Sequence, residues 1–225
     1  MHSTRNSQPK QNTSSLRWRI AQFAEIRWWQ NYLKKRDKSE YLSWKRSYWQ
    51  TFLERTEVNL EIGQRILDMG CGPAGIFTQL ADYQVTAVDP LLQQYEDKIP
   101  HFQPIDYSNV SFVNQSLEQY VPTLVFPTVF CINAINHVAD LDLAFDNLIN
   151  CTDRNGTLVV SIDAHNYPFL KHIFRLLPGD ILHPHQYDLA EYRAMLTQRN
   201  CTIEKEILYK KDGIFDYWVL VARKL

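Results

Sequence analysis

The stretch Ile66-Leu67-Asp68-Met69-Gly70-Cys71-Gly72-Pro73-Ala74-Gly75 decides the architecture: an apolar run ends in an acid and then turns through glycines. Gly70 and Gly72 let a ligand approach the backbone where any side chain would intrude. Pro73 suits the first turn of a following helix, because its missing N–H would be unpaired there anyway. Nineteen residues after Gly70, a second apolar run ends in Val88-Asp89-Pro90. That spacing puts a carboxylate at the C-terminal edge of the next strand, where it can accept bonds from two ribose hydroxyls. A bare glycine turn is weak evidence, but here the strand and helix that the motif needs flank it.

Outward from this turn, β-rich runs alternate with stretches long enough for short crossover helices. The runs are Arg65 to Met69, Gln84 to Val88, Val110 to Val113, Thr128 to Asn133 and Thr157 to Ile162. Between them lie Ile76 to Asp82, Leu91 to Lys98, Ser116 to Tyr120 and Leu141 to Cys151, and Asn155-Gly156 punctuates the return from the fourth helix to the fifth strand. Such alternation predicts a doubly wound α/β fold, a parallel sheet with helices on both faces. The last two runs, Cys201 to Tyr209 and Phe215 to Ala222, are joined by the tight link Lys211-Asp212-Gly213. A hairpin fits that link, so the last of seven strands should run antiparallel.

Upstream, Leu16, Ile20, Phe23, Ile26, Trp29 and Leu33 recur at helical spacing, and a second helical stretch from Ser39 carries Leu42, Lys45, Trp49, Phe52 and Leu53. Two helices therefore precede the sheet, and five of the six tryptophans (Trp18, Trp28, Trp29, Trp44, Trp49) lie in them. The expected organisation is a disordered tail over residues 1–15, a helical arm or lid over 16–58, and an α/β domain over 59–225. Residues 1–55 hold twelve Lys or Arg against four Asp or Glu, while the rest holds twelve against twenty-one. A basic arm thus precedes an acidic domain. Mutual attraction accounts for that as well as does steering of an anionic partner.

At 225 residues, 45% hydrophobic and 22% charged, the chain has the composition of one globular α/β domain with an appendage. No run approaches the 18 apolar residues that span a bilayer, and no secretory signal is visible. Cys71, Cys131, Cys151 and Cys201 are widely spaced and form no CxxC pair, which points to reduced thiols and a cytoplasmic protein. A monomer or homodimer without a nucleic-acid partner is expected.

The pattern resembles the class I, Rossmann-like S-adenosylmethionine-dependent methyltransferases, in their small-molecule branch, over roughly residues 60 to 225. Leu67 to Gly72 is similar to that family's first motif, Val88-Asp89 to its second, and Ser116-Leu117-Glu118 to the segment that lies against adenine. Asn133 to Val138 is similar to the motif after the fourth strand. The resemblance implies S-adenosylmethionine as cofactor, with Asp68 near its methionine ammonium, Gly70, Cys71, Gly72 and Gly75 beneath it, Asp89 and Pro90 at the ribose, Ser116 and Leu117 at the adenine, and Asn133 beside it. Two departures stand out: the third glycine falls at Gly75, after Ala74, and Ser116 occupies a position where many relatives carry an acid.

The competing reading is an NAD-dependent dehydrogenase, which uses the same glycine turn. Asp68 argues against it, because a carboxylate two residues before the first glycine opposes a pyrophosphate and suits a cofactor bearing ammonium and sulfonium charge. A scaffold that binds the cofactor without catalysis is a further alternative. Five of the seven histidines fall between His137 and His185. His137, His183 and His185 are the candidates for taking a proton from the attacking acceptor, and His165, Tyr187, Trp28 and Trp29 for contacting it. His183 and His185 with Asp163 or Asp180 make a poor metal set, since zinc needs three or four convergent ligands, so no metal is expected. The predicted activity is methyl transfer to a small molecule, with oxygen or nitrogen as nucleophile.

Overall fold

A computed structural model describes residues 16–165, 187–211 and 215–225. The tail expected over residues 1–15, the histidines His172, His183 and His185, and Asp212-Gly213 of the hairpin link lie outside the described residues. Two helices come first, α1 (Leu16–Leu33) and α2 (Lys38–Thr56). Asp37 starts α2 by accepting from the Glu40 N–H, and Glu57 ends it in the left-handed conformation at φ 49°. The sheet follows, with β1 (Arg65–Met69), β2 (Gln84–Val88), β3 (Val110–Val113), β4 (Phe126–Cys131), β5 (Thr152–His165), β6 (Cys201–Lys210) and β7 (Phe215–Lys224). Helices α3 (Leu92–Lys98), α4 (Leu141–Cys151) and α5 (Leu189–Thr197) complete the described elements.

The strand order is β3-β2-β1-β4-β5-β7-β6, with β7 antiparallel to both its neighbours and the pairs from β3 to β5 all parallel. The seven-stranded, mostly parallel sheet with an antiparallel last strand is thus as the alternation predicts. The order reverses between β1 and β4, and ligands of open α/β sheets bind outside the strand ends at such a switch point. Alternate residues feed two cores: Ile66, Phe130, Val159 and Val219 face the layer holding α1, α2 and α3. Their neighbours Leu67, Val129, Leu158 and Leu220 face α4 and α5.

Four local expectations are corrected. Ile76 to Asp82 does not form a helix; the chain makes one 3₁₀ turn at Gly72–Ala74 and another at Ile76–Gln79. Extended backbone at Gly75, with ψ −173°, interrupts them, so no α-helical ladder can start at Pro73. Ser116 to Tyr120 is a single turn closed by the Tyr120 N–H on the Ser116 carbonyl, and Pro122 disfavours helical backbone at Val121. Strand β4 begins at Phe126 and ends at Cys131, two residues earlier than the predicted run at both ends. Strand β5 starts at Thr152, so Asn155-Gly156 lies within it, where the register with β4 shifts opposite Pro127. A proline without an N–H and a glycine at one bulge is how a sheet absorbs that interruption.

The apolar stripe assigned to α1 also divides. Ile26 and Leu33 are buried, whereas Ile20 and Phe23 are exposed. Steps of three outnumber steps of four in that series, so the stripe drifts around the helix and its first half turns to solvent.

Candidate functional site

The site grows from the end of β1. Gly70 adopts φ +73° and Gly72 φ +57°, both in the left-handed region that favours glycine. They are glycines for different reasons. A Cβ on Gly70 would collide with the Cβ of Ala134, because the loop after β4 closes over the turn, whereas a Cβ on Gly72 would meet nothing within 4 Å. Gly72 therefore borders open space at the mouth of the turn. A Cβ on Gly75 would run into the Asp68 carboxylate and the Cys71 carbonyl, so this glycine is what lets Asp68 tuck beneath the turn.

Asp68 is buried and accepts from the Phe77 N–H at 3.3 Å. Burial drives its pKa up to about 7, against the pull of the Phe77 and Ile76 N–H groups and of the Lys45 charge. Asp89, likewise buried, accepts from the Gly72 N–H at 3.0 Å and the Leu91 N–H at 2.8 Å. Its pKa also rises to about 7, first through burial and then through the Glu25 carboxylate nearby. Among the described residues neither acid forms an ion pair. Buried carboxylates without a cation are costly, and a ligand bringing positive charge and hydroxyl donors would relieve that cost. Cys71, between them, is a buried thiol whose pKa burial pushes well above its usual value. It is no nucleophile.

The remaining expected cofactor residues gather at the same edge. Pro90 follows Asp89, and Ser116 and Leu117 are buried beyond β3, with a Leu117 methyl 3.5 Å from where a Gly70 Cβ would stand. Asn133 takes φ 57° after β4 and donates its N–H to the Ser161 hydroxyl at 2.7 Å, which aims Ala134 at Gly70.

The expected acceptor and proton-transfer residues are less concentrated. His137 ends the 3₁₀ turn Ile135–His137 with its side chain exposed. Its neighbour Asn136 is buried and ties the turn to β5 and α5, donating to the Asp163 carbonyl and the Tyr192 hydroxyl. Tyr187 packs on Tyr192, with ring centroids 5.8 Å apart. Trp28 is exposed and stacked on Tyr32 at 4.9 Å, while Trp29 is half-buried against the core. His165 is the last residue of β5, and only its backbone is described. His183 and His185 lie outside the described residues, among which no three His, Cys, Asp or Glu converge as a metal set.

Helix α2 supplies groups that the sequence pattern placed on a helical face without assigning them to the site. The Trp49 indole N–H donates to the Ala74 carbonyl at 3.0 Å, which fixes α2 directly over the glycine turn. One turn earlier, the Lys45 ammonium lies 4.9 Å from the Trp49 ring and 5.2 Å from the Tyr48 ring, and interacts electrostatically with Asp68. Burial lowers its pKa to about 8. Lys45 forms no ion pair or hydrogen bond among the described residues. Beside it Tyr48, Tyr209 and Tyr217 cluster, with Tyr48 to Tyr209 at 6.4 Å and Tyr209 to Tyr217 at 5.7 Å. Burial raises Tyr48 to about 12 and Tyr217 well above its usual value, so both remain neutral donors, and the Tyr217 hydroxyl is buried. From α1, Glu25 accepts from the Tyr95 hydroxyl at 2.8 Å, beside Asp89. The only visible signal for these groups was a lysine on an aromatic helical face.

A family model described as a methyltransferase domain matches residues 41–206. Among curated proteins, a ubiquinone biosynthesis O-methyltransferase from Rickettsia typhi is 28% identical over 99 residues, 43% of this chain and 40% of that protein. The chain's match thus spans well under half the length of that relative. Among solved structures, the N-methyltransferase NodS from Bradyrhizobium japonicum in complex with S-adenosyl-L-homocysteine superposes with TM-score 0.63 at 12% identity, covering 91% of this chain and 98% of its own. The 1,6-didemethyltoxoflavin-N1-methyltransferase of Burkholderia thailandensis does so with TM-score 0.62 at 13% identity, covering 99% and 93%. At these identities the structural likenesses establish the fold.

Proposed function

The chain belongs to the methyltransferase-domain family, and from that premise we propose that it transfers a methyl group from S-adenosylmethionine to a small-molecule acceptor, with oxygen ahead of nitrogen as the nucleophile. The observation that carries the reading is the pair of buried carboxylates, Asp68 and Asp89, at a glycine turn that keeps open space over Gly72. They suit an amino acid and a ribose on one ligand, and Asp68 would oppose a pyrophosphate.

Bound there, S-adenosylmethionine would supply a methyl group already activated on a sulfonium. The chain's own residues bind and align. Asp89 accepts from the ribose hydroxyls through the lone pairs that Gly72 and Leu91 leave free. Asp68 would hold the methionine ammonium and Lys45 its carboxylate, two opposite charges close enough to interact with each other. Ser116 and Leu117 flank the adenine, with Pro90 and Asn133 beside the cofactor. Helix α2, held over the turn by Trp49, forms one wall of the acceptor pocket with the neutral phenols Tyr48 and Tyr217. An aromatic wall excludes water from the reacting carbon. Trp29, His165 and Tyr187 are the further acceptor contacts, and His137, His183 and His185 the proton acceptors.

Holding nucleophile and methyl in line lowers the barrier by roughly 7 to 11 kcal/mol, more than one general base contributes, so no single histidine needs to be indispensable. Four free, buried cysteines fit a reducing, cytoplasmic setting. Incubation with S-adenosylmethionine and a panel of hydroxylated and aminated aromatic acceptors should release S-adenosylhomocysteine in step with a methylated product. Binding of the cofactor with no turnover on any acceptor would instead favour a scaffold.

A further inference from the structure

We propose that the outer face of α1 is a docking surface for a bilayer bearing anionic headgroups. Helix α1 is apolar on two sides. Ile26 and Leu33 enter the core, while Ile20, Phe23 and Trp28 are 47%, 61% and 55% exposed around the outer half of the helix. The face continues onto α2 through touching rings: Trp28 to Tyr32 at 4.9 Å, Tyr32 to Tyr41 at 6.2 Å and Tyr41 to Trp44 at 5.9 Å, with Trp44 53% exposed. An exposed ribbon with a tryptophan at each end is what a peripheral protein presents to the boundary between headgroups and acyl chains.

The charge on this face identifies the occupant. At helical spacing Ile20 and Phe23 are followed by Arg27 and, just past the helix end, Lys34. The Arg27 guanidinium lies 5.7 Å from the Phe23 ring, and that of Arg36 4.2 Å from the Tyr32 ring. Docking of the arm does not consume these charges. Lys38 pairs with Asp106 at 2.8 Å, but Arg19, Arg27, Lys34 and Lys35 are exposed and form no ion pair among the described residues. The even balance that the sequence left between mutual attraction and an external anion therefore tips outward. A second copy of the chain suits the face poorly, because a two-fold contact would gather two Arg27 and two Lys34 side chains into one interface. Anionic lipid answers both features at once, since cations are drawn to its surface potential and the rings enter beneath it.

The test uses the full chain with vesicles of phosphatidylcholine alone or mixed with phosphatidylglycerol. Co-sedimentation should be strong only with the mixed vesicles and should fall as salt is raised. The pair Ile20→Ser and Phe23→Ser should weaken it about tenfold, and the pair Arg27→Gln and Lys34→Gln at least tenfold at physiological salt, each with an unchanged melting temperature because the side chains are exposed. No binding to mixed vesicles, or undiminished binding by the serine pair, would overturn the proposal. So would a concentration-dependent dimer that Phe23→Ser dissolves, which would give the face to a second copy. Retention on duplex DNA equal to that on vesicles and insensitive to Phe23→Ser would reduce the face to a plain polycation.

Discussion

Lys45 and Asp68 carry the most specific consequence of the geometry. If they bracket the two ends of a methionine, Lys45→Gln should raise the dissociation constant for S-adenosylhomocysteine at least tenfold, the equivalent of one charge-assisted hydrogen bond of roughly 1.5 to 3 kcal/mol. The same substitution should leave 5′-methylthioadenosine, which lacks the amino-acid part, nearly unaffected in calorimetry. Equal losses for both ligands would make Lys45 a support for the turn. Their ionisation narrows the working range, since Asp68 is charged above about 7 and Lys45 below about 8. Affinity for S-adenosylhomocysteine should peak between those limits, with the alkaline limb absent in Lys45→Gln. Asp89 has a double duty. Asp89→Asn should weaken both ligands at least tenfold, because each needs the ribose acceptor, and should also loosen the turn, because one carboxylate oxygen holds the Gly72 N–H.

At the scale of elements, the glycine turn and the loop after β4 are one packed unit. Gly70→Ala should destabilise the fold by about 1 to 3 kcal/mol through collision with Ala134 and strain at φ +73°, and Ala134→Gly in the same chain should recover part of it, read as a coupling in urea denaturation. Such long-range fits are where the sequence stopped being legible. Asp68, Gly70, Gly72 and Asp89 announced the strand, turn and strand, because an acid, a left-handed glycine and an apolar run are local statements. The length of the next helix was not local. It depended on Gly75 breaking the backbone so that Asp68 could reach the Phe77 N–H, and nothing in Ile76 to Asp82 records that contact. Lys45 was hidden in the same way: its partner Asp68 lies 23 residues away in the chain, and a lysine on an amphipathic helix ordinarily reads as solvated. For the arm, single Trp→Ala changes at Trp28, Trp29, Trp44 and Trp49 separate wall from scaffold. A wall requires at least one to lower turnover with cofactor affinity and melting temperature nearly intact. Trp49 should fail that test, since losing its bond to Ala74 and its buried ring costs about 3 kcal/mol or more of stability.

Across the whole molecule, the two raised acids tie stability and ligand binding to pH in opposite directions. Asp68 and Asp89 titrate at about 7 when folded and about 4 when unfolded, so between those values the native state holds the extra protons. Their contribution to stability is complete at the acid end and falls as pH rises toward 7. If Asp68 and Asp89 bind the cofactor as proposed, they do so ionised, so the thermal stabilisation by S-adenosylhomocysteine should grow over the same interval. The central claim, that this glycine turn and its two carboxylates hold an S-adenosyl cofactor, is tested most directly by a thermal shift near pH 7.5 with S-adenosylhomocysteine and NAD in parallel. The account predicts a melting temperature that climbs with the logarithm of S-adenosylhomocysteine concentration, reaching about 2.7 kcal/mol of stabilisation at a hundredfold excess over the dissociation constant, and no response to NAD. A shift with NAD and none with S-adenosylhomocysteine would contradict it.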